Sequence, residues 1–131
     1  MDLHVGQLVR VESLVLRLAH SAELELFGTL ASATAHKTLN AIFLALHGRM
    51  VERKAPAFTV DVRSLSFVNS SAIRVFVDWI ARAESASYKL IFVTDPGVTW
   101  HRLSFSVLRS LAPSTVEIIE RKPGQFAGHP S

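Results

Sequence analysis

The sequence predicts an α/β fold, in which helices pack against a mixed, mostly parallel central sheet that begins with an antiparallel hairpin. The first observation is a change of period, because apolar residues alternate with polar ones up to residue 27 and then recur every three or four residues. The second is that strand-like and helix-like segments alternate from there onward, as in parallel strands joined by right-handed crossovers. The third is a composition of 49% hydrophobic and 19% charged residues, which is typical of a compact globular chain.

The N-terminal region contains three segments in which apolar and polar side chains alternate. They are Leu8–Glu12, Leu14–Ala19 and Glu23–Phe27. A period of two predicts strands with one buried and one exposed face, and such strands pair most easily in an antiparallel arrangement. Exposed edge strands in this region would permit self-association, and the sequence leaves the oligomeric state open.

A helix is predicted over Ala33–Met50, because its apolar residues form one stripe at spacings of three and four. Ser32 or Thr34 is expected to cap its start, and Gly48 is expected to mark a fraying last turn.

The remainder of the chain continues the alternation. A strand is predicted at Ala57–Val62, a helix from about residue 70 to Glu84–Ser87, a strand covered on both faces at Tyr88–Thr94, a helix at Trp100–Leu111 and a strand at Thr115–Ile119. The predicted order is strand, strand, helix, strand, helix, strand, helix, strand. We therefore expect one domain over residues 1–120 and a disordered tail over residues 121–131, which has no period and two prolines.

Charge and cysteine content exclude several classes of function. A net charge of +3, spread along the chain without a basic stripe, does not indicate nucleic-acid binding. The absence of cysteine excludes disulfides, thiol catalysis and thiolate metal sites. No apolar run has the length of a membrane span, and no signal peptide is recognisable, so a cytoplasmic location is expected.

Enzyme and metal motifs are not apparent either. The histidines never pair at a metal-ligand spacing on one predicted face, so we expect them to be surface residues without a metal, and no cofactor is predicted. They are His4, His20, His36, His47, His101 and His129. No Gly-x-Ser-x-Gly nucleophile elbow and no glycine-rich phosphate loop occurs, so an enzyme is the least expected class.

Two adjacent hydroxyls stand where an apolar strand gives way to a helix, in the stretch "FVNSSAIRVF". One interpretation is that Asn69, Ser70 and Ser71 only cap the helix, which is worth about 1 kcal/mol. The other is that Ser71 or Ser70 accepts a phosphate, which would meet free backbone amides and the positive end of the helix dipole. The residues alone leave both interpretations open.

The stretch "TVDVRSLSFVNSSAI" resembles the central motif of STAS domains, the family named for sulfate transporters and anti-sigma-factor antagonists. Asp61 matches the family's strand-end Asp, Leu65 and Phe67 match apolar positions of a following loop, and Asn69–Ala72 occupies the Asp-Ser-Ser-Gly motif. The element order agrees with the family over about residues 12–120. The resemblance implies a small STAS-like domain.

The resemblance also implies a mechanism. In phosphorylatable members a partner kinase modifies the second serine of the pair, here Ser71, which blocks binding until a phosphatase restores it. Asn69 replaces the usual Asp and keeps the capping capacity while removing a charge. Ala72 replaces the usual Gly and adds a methyl where a partner's backbone would approach.

A second stretch, "PGVTWHRLSFSVLRSLAP", looks like a segment of stand-alone bacterial STAS regulators that also carry Asn in the motif. Trp100 in this stretch is expected to be half exposed and to belong to a contact surface. Trp79 is expected in the core. Arg74, one turn after Ser70, either helps to hold a phosphate or a partner's carboxylate or is a solvated surface charge.

The sequence therefore predicts a non-enzymatic signalling module of the anti-sigma-factor-antagonist type. It would bind a Ser/Thr kinase of the anti-sigma-factor type, be phosphorylated at Ser71 (less readily at Ser70) and be restored by a cognate phosphatase. Asp61 would support the motif from the end of its strand. The alternative is a constitutive protein-binding scaffold or small-ligand-binding STAS module without phosphorylation.

Overall fold

The computed structural model describes residues 4–31 and 35–122. Six strands and three helices follow one another along the chain. They are β1 (Leu8–Val11), β2 (Leu14–His20), β3 (Glu23–Leu30), α1 (Ala35–Arg53), β4 (Ala57–Val68), α2 (Ser70–Ala86), β5 (Lys89–Thr94), α3 (Thr99–Leu111) and β6 (Val116–Glu120). The predicted order had two strands before the first helix, whereas the structure has three, since each alternating segment forms its own strand.

The six strands form one sheet in the order β1-β2-β3-β4-β5-β6. β1, β2 and β3 pair antiparallel, and β3, β4, β5 and β6 pair parallel. This arrangement confirms the predicted mixed sheet with its leading antiparallel part. Because strands β3 to β6 are parallel, their carboxyl ends and the starts of all three helices lie at the same edge of the sheet.

The hydrophobic core lies on one face of the sheet, where the helices pack. Buried residues alternate with more exposed ones along the strands, so only one face contributes to the core. β5 was predicted to be covered on both faces, but Ile91 on its second face is only half-buried, and Val93 is buried outside the main core cluster. The rings at the centre of the core are Phe43, Phe58, Phe76, Trp79, Phe92 and Phe105.

Three elements continue beyond their predicted ends, and the first is β3, which continues past Phe27 to Leu30. β4 continues six residues beyond Val62, to Val68, and its pairing with β3 shifts register twice. Each shift inserts one extra residue into β4, which is the signature of a β-bulge. α1 continues past Gly48 to Arg53, because buried Met50 keeps the last turns packed on the core.

The helix cap expected for α1 at Ser32 or Thr34 lies outside the described residues. Of the expected tail, Arg121 donates its N–H to the carbonyl of Thr94 at 2.9 Å and Lys122 accepts from Arg63 at 3.0 Å, so these two residues extend the folded part. Residues 123–131 lie outside the described residues. None of the described helices combines the length and hydropathy that a membrane crossing requires.

Candidate functional site at the start of the second helix

Asn69 is the N-cap of α2 and joins this helix to the neighbouring strand. Its extended backbone (φ −79°, ψ 171°) lets the side-chain oxygen accept from the N–H of Ala72 at 2.9 Å. Its side-chain amide donates to the carbonyl of Ala31 at 2.8 Å, and its backbone N–H donates to Leu30 at 2.9 Å. These bonds fix the start of α2 against the end of β3.

Ser70 and Ser71 form the first turn of α2, and both are exposed. Within the described residues, neither hydroxyl makes a hydrogen bond, so the cap is provided by Asn69 and not by the serines. The backbone N–H groups of Ser70 and Ser71 likewise have no acceptor in this part of the chain. The turn therefore presents two hydroxyls and two free N–H donors at the positive end of the helix dipole.

The electrostatics of this turn favour an anion. No acidic residue stands in the first turn of α2. Arg74 follows Ser70 and Ser71 at spacings of four and three, which places it on the same face of the helix. Its side chain is 78% exposed and makes a single 3.6 Å ion pair with Asp78, a surface contact of little energetic weight. The guanidinium can therefore turn toward a group on either serine.

Ala72 does not belong to the exposed surface that the motif suggested. Its side chain is buried in the main core cluster. The methyl group that replaces the family's glycine hydrogen therefore packs inward, and a partner that approaches the turn does not meet it. The contribution of Ala72 to the site is its backbone N–H, which Asn69 holds.

Asp61 is not at the end of a strand and does not support the motif. It lies in the middle of β4, roughly 20 Å along the strand from Val68 at about 3.3 Å per residue. Its carboxylate accepts from the backbone and the guanidinium of Arg63, with a closest contact of 2.8 Å. This hydrogen bond raises the pKa of Arg63. Asp61 therefore stabilises the sheet face that the helices leave open.

Trp100 lies in the first turn of α3 and is half-buried, with its ring 4.3 Å from that of His101. His101 itself is fully buried, although it was expected at the surface. Its ring bonds to the carbonyl of Leu65 at 2.8 Å and to the N–H of Asp95 at 3.3 Å. The start of α3 is thereby tied to the terminal part of β4, which leads into Asn69.

A second histidine, half-buried His47, belongs to a chain of hydrogen bonds that begins in the core. The indole N–H of Trp79 donates to the hydroxyl of Tyr88 at 2.9 Å, and that hydroxyl lies within hydrogen-bond distance of Nδ1 of His47, at 2.7 Å. Burial, with a smaller contribution from Arg82, lowers the pKa of His47. Burial raises the pKa of Tyr88, against the opposing effects of Trp79 and Arg82. The neutral forms of both side chains fit this chain of bonds.

The described part of the chain contains no cluster of metal-ligating side chains. Within residues 4–31 and 35–122, no three His, Asp or Glu side chains are close enough together to hold a metal ion. The candidate site is therefore the exposed first turn of α2, and what it offers chemically is two hydroxyls, two N–H donors and one arginine.

Comparison with known proteins gives a likeness of fold. The sequence matches no protein-family model, and no curated protein matches it at a significant level. One similar chain is in the crystal structure of diguanylate cyclase SiaD in complex with its activator SiaC from Pseudomonas aeruginosa. Its TM-score is 0.67 at 15% identity, over 92% of this chain and 100% of that one.

A second similar structure is that of the anti-sigma factor antagonist SpoIIAA in its unphosphorylated form. Its TM-score is 0.53 at 13% identity, over 83% of this chain and 89% of that one. At such identities the likeness shows the fold alone. The chain has a STAS-like fold, and the resemblance first drawn from "TVDVRSLSFVNSSAI" is confirmed at that level.

Proposed function

We propose that this chain is a non-enzymatic signalling module of the anti-sigma-factor-antagonist type, which binds a Ser/Thr kinase-like partner and is switched by phosphorylation at Ser71. The observation that carries the proposal is the first turn of α2, where both hydroxyls are exposed and uncommitted while Asn69 alone caps the helix. If Ser70 or Ser71 served only as a helix cap, its hydroxyl would accept a hydrogen bond from a backbone N–H of the first turn, as the side chain of Asn69 does from Ala72. The fold shared with the antagonist SpoIIAA supports the same proposal.

A phosphate at this turn would be stabilised locally. It carries about −1.5 to −2 charges at neutral pH, which the free N–H groups of Ser70 and Ser71 and the helix dipole favour. Arg74 supplies a guanidinium on the same face of the helix and would form a charge-assisted bond to the phosphate oxygens. The modified turn can therefore remain folded while its surface changes sign.

The change of sign is the basis of the switch. The unmodified turn is exposed, has no acidic residue and lies at the positive end of the helix dipole, and it is open to docking of a partner over Ser70 and Ser71. A phosphate would add a strongly hydrated dianion to that contact, and burying it against the partner would cost binding energy. Removal by a phosphatase would restore docking. The partner supplies ATP and the transfer chemistry, and both proteins are taken to be cytoplasmic.

Further contacts are proposed around this turn. The 2.8 Å bond between His101 and Leu65 holds the start of α3, and with it Trp100, beside the last residues of β4. Trp100 is half-buried, so part of its ring is open to a partner. We assign Trp100 and Arg74 to the rim of the docking surface, with Ser70 and Ser71 at its centre.

The test uses the full chain and a Ser/Thr kinase of the anti-sigma-factor type from the same genome, chosen first from the genes next to that of this chain. Incubation with ATP is expected to add one phosphate, which mass spectrometry places on Ser71. Ser71→Ala should remove it, and Ser70→Ala, the matched neighbour, should retain it. Ser71→Asp should weaken kinase binding at least tenfold in a titration.

Two results would overturn the proposal. One is the absence of phosphate from both serines under conditions in which the kinase modifies itself or another substrate. The other is equal partner affinity for Ser71→Ala and Ser71→Asp, which would instead indicate a constitutive binding module.

A further inference from the structure

His36, in the first turn of α1, has an imidazole without a hydrogen-bond partner. The side chain was expected at the surface but is half-buried, and its Nδ1 is buried. Neither ring nitrogen makes a hydrogen bond within the described residues. Buried polar atoms are normally hydrogen-bonded, because leaving one without a partner costs free energy. The imidazole is therefore available to a group that the unmodified chain does not carry.

The row of α1 that contains His36 faces α2. Asn40 and His47 follow His36 at spacings of four and eleven, which place the three residues within about 40° of one another around the helix. Asn40 accepts from the guanidinium of Arg82 of α2 at 3.4 Å. His47 lies 2.7 Å from the hydroxyl of Tyr88, just after the end of α2. His36 continues this row one turn before Asn40, so it faces α2 as well.

His36 lies at the level of the first turn of α2. The two helices run in the same direction, because each connects two neighbouring parallel strands. Phe43 of α1 packs against Phe76 and Trp79 of α2, with ring centroids 5.4 Å and 4.4 Å away. His36 precedes Phe43 by about 10.5 Å of helix. The same length of α2, counted back from the midpoint of Phe76 and Trp79, ends at residues 70–71.

Of the two serines, Ser71 is the one on the α1 side of α2. It lies within about 20° of Arg82 around the helix, and Arg82 contacts α1. Ser70 lies about 120° from Arg82 and is therefore turned away from α1. Ser71 and His36 thus stand on facing sides of the two helices at one level. In the described part of the chain, neither the hydroxyl of Ser71 nor the imidazole of His36 has a hydrogen-bond partner.

The charges around this position favour an anion. Neither α1 nor α2 has an acidic residue in its first turn, and the two positive helix ends lie at the same edge of the sheet. Lys37, exposed next to His36, adds a positive charge. The first acidic residue of α2 is Asp78, which lies two turns after Ser71 and pairs with Arg74. An anion on Ser71 would therefore meet two helix dipoles, with no carboxylate in either first turn.

We propose that His36 is a phosphate-binding residue of the site at Ser71, and that it favours Ser71 over Ser70 as the position at which a phosphate is held. This inference rests on the proposed function and adds to it a residue from a second helix. A phosphate extends the short serine side chain toward α1, where an N–H of the imidazole would donate to one of its oxygens. Arg74 would bind the same group from the solvent side.

Phosphoserine placed at residue 71 or at residue 70 during synthesis of the full chain tests the inference without a kinase. Each form is made in the parent chain and in His36→Gln, which removes the imidazole. Lys37→Gln is the matched control, because it removes a charge from the same turn of α1 at a position about 100° away around the helix.

Phosphorus NMR measures the pH at which the phosphate loses its last proton, which is near 6 for phosphoserine. With phosphoserine at residue 71, this midpoint is expected to be lower in the parent chain than in His36→Gln by at least about 0.5 pH units, a threefold change in proton affinity. Lys37→Gln should change it less. With phosphoserine at residue 70, His36→Gln should leave the midpoint unchanged. His36→Lys, which keeps a positive charge, should restore part of the shift at residue 71.

Equal midpoints in the parent chain and in His36→Gln, with phosphoserine at residue 71, overturn the inference. An effect of His36→Gln that is the same at residues 70 and 71 also overturns it, because a merely structural role of His36 would not distinguish the two serines. The expected midpoints in a chain that the kinase does not modify would support the role of His36 and contradict the proposed switch.

Discussion

The imidazole of His101 donates from Nε2 to the carbonyl oxygen of Leu65, at 2.8 Å. Because a carbonyl can only accept, the hydrogen must be on Nε2, and Nδ1 is left to accept from the N–H of Asp95 at 3.3 Å. One fully buried side chain thus satisfies a backbone acceptor of β4 and a backbone donor of the turn before α3. It holds the elements on either side of the candidate docking surface together.

His101→Phe is expected to destabilise the fold by about 2–4 kcal/mol, because it leaves the buried Leu65 carbonyl and the half-buried Asp95 N–H without partners. Urea denaturation measures the change in free energy of unfolding. His20→Phe, the same replacement at an exposed position, should change it by less than about 0.5 kcal/mol. Equal effects at the two positions would show that the His101 bonds are unimportant.

Asn69→Ala is expected to lower the free energy of unfolding by about 1–2 kcal/mol, because it removes the cap on the Ala72 N–H and the hydrogen bond to the Ala31 carbonyl. Asn69→Asp keeps the capping oxygen and adds a favourable charge at the helix start, while it loses the donor to Ala31. Its stability should therefore lie between that of Asn69→Ala and that of the parent chain. Thermal unfolding of the three proteins gives the order, and an Asp variant less stable than the Ala variant would contradict it.

Lowering the pH is expected to reduce stability through His47. Its pKa is lower in the folded chain than its ordinary value of 6.5, chiefly through burial. As the pH falls below 6.5 the unfolded chain binds the proton first, so the free energy of unfolding decreases until the folded form is protonated as well. Above pH 6.5 this contribution is fully present.

His47→Gln should flatten this part of the pH dependence in urea titrations between pH 7 and pH 5. An NMR titration of the imidazole measures the pKa directly, and a midpoint at or above 6.5 in the folded chain would refute the interpretation.

The elements of the fold could be predicted because their signals are local. The change from a period of two to a period of three or four follows from which face each residue buries, and the cap at Asn69 follows from its side chain alone. The extension of β4 carries a local signal too, since Leu65 and Phe67 alternate with serines. The resemblance to STAS domains, however, predicts a loop after Asp61, and this part of β4 is therefore missing from the predicted strand. The two bulges that interrupt the alternation depend on pairing with β3 and have no local signal.

The missed features are tertiary. The burial of His101 depends on a carbonyl 36 residues earlier in the chain, and the inward direction of Ala72 depends on how α2 lies on the sheet. The exposure of Leu103, Val107 and Leu111 could not be read from periodicity either. Leu103, Val107 and Leu111 fit the apolar stripe that predicted the helix, yet the buried side is formed by His101, Phe105 and Leu108.

Replacing Gly28 and Gly48 by alanine is expected to change the free energy of unfolding in opposite directions. Gly28 in β3 has φ +101°, and a Cβ there would stand 2.2 Å from the carbonyl oxygen of Ser13, a backbone atom that cannot move aside independently. Gly28→Ala should therefore destabilise the chain by on the order of 3 kcal/mol. Gly48 lies inside α1 with nothing within 4 Å of its would-be Cβ, so Gly48→Ala should stabilise it by about 0.5–1 kcal/mol. Chemical denaturation of both variants decides the matter, since destabilisation at both positions would mean that α1 does not run through Gly48 as a regular helix.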